Sequence, residues 1–267
     1  KSDSAGQWFF CMRILLVFKK RKRYSYSHAE NRTGDFMKTE YRCINGFILK
    51  IIAILTMLVD HTGAILFPEQ MIFRNIGRIA FPIFVFLIVE GFYHTRNIRK
   101  YEIRMLIFAL ISEIPFDLAF SSQILEFTYQ NVFFTLFLGL VMLDVIRTIQ
   151  KKMPAAGTAA EILILILFMA AAYFLKTDYD AGGILLIYAF YKLRGRPLWQ
   201  TAVLLAVSYV FFGLVECPSV IAMVPIFLYN GKRGFGKDGV YSGGRNGVGA
   251  AAVKYAFYLF YPVHLLI

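Results

Sequence analysis

Nine apolar stretches divide this chain, and the connections between them alternate in charge. The stretches lie at roughly 47–67, 74–93, 104–120, 130–148, 160–175, 181–192, 198–213, 217–229 and 254–267. Lys38, Arg42 and Lys50 stand before or at the start of the first. The second connection carries Arg96, Arg99, Lys100 and Arg104, and the fourth Arg147, Lys151 and Lys152. The sixth carries Lys192, Arg194 and Arg196, and the eighth Lys232, Arg233, Lys237 and Arg245. The odd connections are poor in cations: PEQMIF, SSQILEFTYQ, Lys176 beside Asp178 and Asp180, and VECPS. Basic residues collect in cytoplasmic loops of membrane proteins, so the alternation predicts about nine transmembrane helices with a cytoplasmic N-terminus.

Composition excludes the soluble alternatives. Of 267 residues, 58% are hydrophobic and 17% charged, against roughly 25% charged in an ordinary soluble domain. A single soluble core stops growing at about this length and could not hide so much apolar surface. The expected fold is an all-α polytopic integral membrane bundle, with lipid as its surroundings. The net charge of +12 belongs to the basic loops, so no nucleic-acid partner is expected. Cys11, Cys43 and Cys217 are too widely spaced for a metal pair or a disulfide framework.

Residues 8–18 are too short to span a bilayer and contain Arg13; KKRKR follows at 19–23, the reverse of a signal peptide's order. Residues 1–46 are read as an N-terminal arm, an interfacial segment or upstream sequence, with Met37 a plausible natural start. Residues 47–267 form the domain, and its last helix is expected to be cut short at Ile267. GFGKDG at 234–239 matches a dinucleotide fingerprint, but no strand precedes it. It belongs to a basic loop, where Lys232, Arg233 and backbone amides could hold phosphates. Asp180 is read as the cap of the 181–192 helix. No His/Cys/Glu group has metal-binding spacing, so no metal is expected.

Ionisable groups inside spans are costly, face the bundle interior and are functional candidates. Most fall in one layer toward the outer side, Asp60, His61, Arg74, Arg78, Glu113, Asp117 and His264, together with the polar Asn131. Glu90 lies toward the opposite end. Arg74 and Arg78 share a helix face, as do Glu113 and Asp117. These pairs could form an ion-pair lock between two helices, or an electrostatic frame around a reactive centre. His61 is the sharpest candidate for acid–base work, with His264 a second proton-transfer candidate. Asp60 points about 100° away from His61 on the same helix, so an Arg of the next helix suits it better, and Glu113, Asp117 or Asn131 is expected to orient His61. Lys50 lies on nearly the same face as His61, about 16 Å lower. That distance matches the reach of a pantetheine arm, with phosphates at Lys50 and a thioester at His61. The plainer alternative is a lysine reaching back to the interface.

The segments LKIIAILTMLVDHTGAILFP (49–68), FRNIGRIAFPIFVFLIVEGF (73–92), ALISEIPFDLAF (109–120), QNVFFTLFLG (130–139), DYDAGGILLIYAFY (178–191), LYNGKRG (228–234) and KYAFYLFYPVHLLI (254–267) resemble the TraX family in the expected order. The family is named for a factor that acetylates the N-terminus of conjugative pilin, and is similar to membrane acyltransferases that carry acyl groups across the bilayer. Those place an Arg about three helical turns before a catalytic His in the first helix. The matching positions here are Lys50 and His61; Lys lacks the two-pronged phosphate contact of Arg.

The resemblance implies an acetyltransferase of the bacterial plasma (inner) membrane using acetyl-CoA, with Lys50, Arg74, Lys232 and Arg233 toward the cofactor. His61 would act as base or be acetylated transiently, Arg74 or Arg78 would meet the oxyanion, and Asp60, Glu113, Asp117 and His264 would support them. The acceptor would be a pilin N-terminal amine or an envelope glycan. The rival reading is a proton-coupled transporter or channel, for which Pro82, Pro115, Pro225 and Pro262 permit broken helices.

Overall fold

Asn45 starts the bundle. Its side-chain oxygen accepts the backbone N–H groups of Phe47 and Ile48, both at 3.0 Å, which satisfies donors that a helix start leaves open. The computed structural model describes residues 42–124, 126–153, 157–234 and 248–266. Most of the expected arm, and residues 235–247 of the basic loop with Lys237 and Arg245, lie outside the described residues.

All regular structure among the described residues is helical. In chain order, α1 is Gly46–Leu66, α2 Met71–Gly77, α3 Ala80–His94, α4 Ile98–Ser121 and α5 Val132–Lys152. They are followed by α6 Gly157–Phe174, α7 Asp180–Lys192, α8 Pro197–Val207, α9 Met223–Phe227 and α10 Val248–His264. Asn97 and Asn131 cap α4 and α5 through Lys100 N–H and Phe133 N–H, each at 3.0 Å.

Among the described residues, four segments are long and apolar enough to cross a membrane: Gly46–Leu66, Met71–His94, Val132–Lys152 and Gly157–Phe174. A 21-residue helix is about 31 Å long, the thickness of a hydrocarbon core. Helix α4 is longer still, at 24 residues, but carries Arg99, Lys100, Glu102, Arg104, Glu113 and Asp117. The remaining helices are shorter.

Two expected stretches are divided. The 74–93 stretch splits into α2 and α3 at Arg78 and Ile79, where Ile79 N–H reaches Ile76 O at 3.2 Å in a tightened turn. After α8 the chain forms a π-helical turn, Ser208–Phe212, then reverses at Gly213 with φ 77. Leu214–Ala222 is a 3-10 helix that runs into α9, so the 217–229 stretch is not one α-helix. Asp180 does not cap α7; Tyr179 holds that position in a left-handed conformation, and Asp180 Oδ1 accepts Ala181 N–H at 2.8 Å.

The core lies between α3, α5 and α7, where Ile83, Leu140, Leu143, Ile146, Ile184, Ile187 and Phe190 are fully buried. Glycines set the close approaches. A Cβ on Gly77 would overlap the Asp60 carboxylate, and one on Gly139 would overlap the Ile187 side chain. By contrast, α6 leaves Ile162, Leu163, Ile166 and Leu167 exposed, an outward apolar face suited to lipid.

The charge alternation becomes spatial. At one end, Ile44 pairs with Tyr229, Arg233 Nη2 donates to His94 O at 2.6 Å, and Arg194 grips Glu90 at 2.6 and 3.2 Å. At the other, Gln130 pairs with Thr177 and Tyr129 OH donates to Asp178 at 2.5 Å. Among the described residues, the even, basic connections gather at the first end and the cation-poor ones at the second.

Candidate functional site

The helix ends at the cation-poor side bring the expected polar layer together, with different pairings. Arg74 Nη1 donates to Asp60 Oδ2 at 2.9 Å, and Arg78 pairs with Glu216 at 2.9 Å. Of the two readings of these pairs, the lock of Arg74 and Arg78 against Glu113 and Asp117 does not form. Asp60 takes an Arg of the next segment, as its direction on α1 required. Glu113 Oε2 instead accepts the backbone N–H of Asn131 at 3.3 Å and its side-chain amide. That amide also donates to Ala109 O at 2.9 Å. Asp117 Oδ2 accepts Glu126 N–H at 2.8 Å. These two carboxylates therefore tie α4 to the turn that begins α5, where open helix N–H groups favour negative charge. In the connection before α7, burial pushes the Asp178 carboxyl upward, opposed by the Tyr129 hydrogen bond.

None of Glu113, Asp117 and Asn131 orients His61. That partner is His264. Nδ1 of His61 lies 2.7 Å from Nε2 of His264, and Nδ1 of His264 lies 2.8 Å from Phe260 O. Phe120 and Tyr261 meet the His61 ring edge-on, with centroids at 5.4 and 5.9 Å. Such contacts fix the plane of an imidazole inside an apolar shell.

A cavity of about 400 Å³ opens at the basic end, between α1, α3, α4 and α10. Lys50, His94, Arg104 and Arg233 stand among its lining residues near that end, and Met57, Phe84, Val132, Leu136 and Tyr261 form the deep part. Lys50 Nζ lies 5.4 Å from the centre of the Phe257 ring, and Arg104 lies 5.4 Å from that of Tyr101. Tyr261 is the shared element: its ring lines the deep end and touches both imidazoles, 5.9 Å from His61 and 5.6 Å from His264. Cations at the mouth suit phosphates, which favour charge-assisted bonds; the apolar body suits an extended arm, and the histidines suit proton transfer at the far end.

Sequence-selected residues divide between these places. Lys50 and Arg233 line the cavity. Lys232 does not; its carbonyl accepts Gly46 N–H at 2.8 Å and ties the strap before residue 235 to α1. Arg74, grouped with the cofactor contacts, lies instead at the opposite end, paired with Asp60 and within electrostatic reach of His61. A second cavity of about 510 Å³ adjoins Arg78, Tyr129, Asp178, Tyr179 and Glu216 at the cation-poor end.

A family model described as TraX protein matches residues 45–267. The chain belongs to the TraX family. This TraX-family chain is 32% identical over 245 residues to a probable fimbrial assembly protein FimC, serogroup H1, of Dichelobacter nodosus, covering 83% of this chain and 93% of that protein. It is 34% identical over 102 residues to an uncharacterized protein of Rickettsia prowazekii, covering 38% of this chain and 36% of that one. No solved structure matches. The family and the apolar helices make this a membrane protein.

Sequence reasoning missed three contributors. Glu216 was read as part of a sparse connection, yet it is buried and paired with Arg78. Arg104 was counted only among loop cations and lines the cavity. Glu161 was passed over in an apolar run. It accepts Lys192 Nζ at 2.7 Å, Tyr188 OH at 3.0 Å and Gln150 Nε2 at 2.5 Å. Each is a lone charge within or beside an apolar segment, and that pattern was the available signal.

Proposed function

We propose that this TraX-family protein is a multi-pass inner-membrane acetyltransferase with its basic end in the cytoplasm. It takes acetyl from acetyl-CoA and passes it to the N-terminal amine of a pilin-like subunit. The observation that carries this reading is the cavity itself: a cationic mouth, an apolar body along α1, and a far end at Tyr261 against the His61–His264 pair. From Lys50 to His61 the rise is about 16 Å, enough for a pantetheine arm. The fimbrial role in the name of the Dichelobacter nodosus relative supports a pilus subunit as acceptor over an envelope glycan.

In the proposed step the neutral acceptor amine attacks the thioester carbonyl carbon. The C–O π electrons move to oxygen, and His61 Nε2 takes the proton that the amine nitrogen loses. Collapse of the tetrahedral adduct reforms the carbonyl and breaks the C–S bond. CoA leaves as thiolate and takes that proton from His61. The products are the N-acetylated acceptor and free CoA, and the enzyme is restored. Arg74, held by Asp60 beside His61, offers a cation for the developing oxyanion. The second cavity would admit the acceptor from outside.

The broken helices at Arg78–Ile79 and Ser208–Ala222 favour one other reading, a proton-coupled transporter. The test uses the protein in nanodiscs with radiolabelled acetyl-CoA and a peptide bearing a free N-terminal amine, comparing wild type with His61→Ala. Labelled peptide and CoA release from wild type alone are expected. Equal CoA release from both proteins would overturn the enzyme reading, and proton-coupled uptake into vesicles without acetyl transfer would establish the transporter.

A further inference from the structure

The two histidines come from α1 and α10, 203 residues apart, and their hydrogen bonds run in one direction. Phe260 O can only accept, so Nδ1 of His264, 2.8 Å away, carries a hydrogen. In a neutral imidazole the other nitrogen then holds a lone pair. Nε2 of His264 therefore accepts from Nδ1–H of His61 across 2.7 Å. The His61 lone pair is left on Nε2. Ring orientation agrees: the planes lie within 5° and the centroids are 4.9 Å apart. An N···N contact of 2.7 Å is too short for rings stacked face to face, so they meet edge to edge, which aligns the N–H with the lone pair it approaches.

We propose that His264 is a positioning residue that holds His61 as its Nδ1–H tautomer, so that Nε2 presents the lone pair to the acceptor. The proposal rests on the reading of His61 as the base. It assigns the two histidines unequal tasks: His61 moves the proton, and His264 stays neutral and accepts one hydrogen bond throughout. When His61 gains a proton at Nε2, the Nδ1–H···Nε2 bond persists and becomes charge-assisted. Phe260 O anchors the series from the backbone of α10, so the tautomer is set without any carboxylate touching His61.

Two substitutions separate positioning from proton relay. In His264→Gln, a side-chain carbonyl can reach the place of Nε2 and accept the same hydrogen bond, but it cannot carry a proton onward. In His264→Leu nothing accepts. The expected result is a fall in kcat of roughly 10²-fold or more for His264→Leu, the scale of general-base catalysis. KM for acetyl-CoA should hold within about threefold, and His264→Gln should recover to within about tenfold of wild type. Thermal unfolding of each variant reports whether it has folded.

The second measurement needs no variant to fold and no acceptor: ¹⁵N NMR of the histidine-labelled wild type, which has four histidines. A protonated Nδ1 and bare Nε2 on His61 are expected, and the reverse tautomer would overturn the proposal. So would a folded His264→Leu with full kcat, or a His264→Gln as inactive as Leu. Full activity in His61→Ala would instead refute the enzyme mechanism on which the proposal stands.

Discussion

Removing the Arg78 cation should destabilise the protein more than removing the whole ion pair. Arg78 and Glu216 meet at 2.9 Å with side chains only 19% and 6% exposed. An Arg78→Met variant leaves the Glu216 carboxylate buried without its cation, and breaking one side of a buried pair costs about 3–5 kcal/mol. The Tyr179 hydroxyl also bonds Glu216, which places the expected loss near the lower end, about 3 kcal/mol. Replacing both partners by apolar side chains is close to neutral in many proteins. Here Arg78 also neutralises part of the charge of Asp60 and Asp178, so Arg78→Met/Glu216→Leu should lose about 1 kcal/mol. If Glu216→Leu alone costs about 1 kcal/mol, the coupling energy in the cycle is about 3 kcal/mol. Equilibrium unfolding of purified protein in mixed micelles, followed by far-UV circular dichroism, gives all four corners. A double variant as unstable as the sum of its two parents would refute this account of the pair as the clamp between the α2–α3 junction and the 3-10 segment.

Three further outcomes follow from the same geometry. Gly77→Ala should displace the Asp60 carboxylate, loosen Arg74 and cost about 1–3 kcal/mol as an overpacking change, read by the same unfolding assay. Asp178 binds its proton more tightly folded than unfolded, so its contribution to stability is greatest at low pH and is lost as pH rises through the folded value. Asp178→Asn keeps an acceptor for Tyr129 OH and should flatten that part of the stability–pH curve, whereas Asp178→Ala should cost about 1–3 kcal/mol at every pH. At the cavity mouth, Lys50→Ala, Arg104→Ala or Arg233→Ala should each raise KM for acetyl-CoA by roughly tenfold, the value of a charge-assisted contact of about 1.4 kcal/mol, with little change in kcat. Steady-state kinetics at several salt concentrations would check it, and a fall in kcat with unchanged KM would count against the cavity as the cofactor site.

The hydropathy runs and the alternation of basic connections made the helical membrane architecture legible, because both depend only on local composition. The layer of Asp60, His61, Arg74, Arg78, Glu113, Asp117 and His264 was legible for the same reason: charges inside apolar runs stand out. Pairing was not. Helical spacing says that Arg74 and Arg78 share a face, but cannot say that the 3-10 segment brings Glu216 to one of them. Asp60 toward an Arg of the next segment was readable from its angle relative to His61. His264 as the partner of His61 was not, since nothing local couples residues 203 positions apart. The division at Arg78–Ile79 was hidden because the apolar run continues across it; there Gly77 packs directly against the Asp60 carboxylate.

That separation of the two histidines also sets when the pair can form. One imidazole is threaded into the membrane with α1 and the other arrives with α10, after every intervening segment has been made. The same late helix supplies Phe257, Tyr258 and Tyr261 to the cavity wall. A nascent chain halted before residue 257 therefore has neither these cavity-wall side chains nor a paired His61. On the proposed mechanism, acyl transfer is withheld until α10 has been made, so copies lacking that helix would be chemically silent.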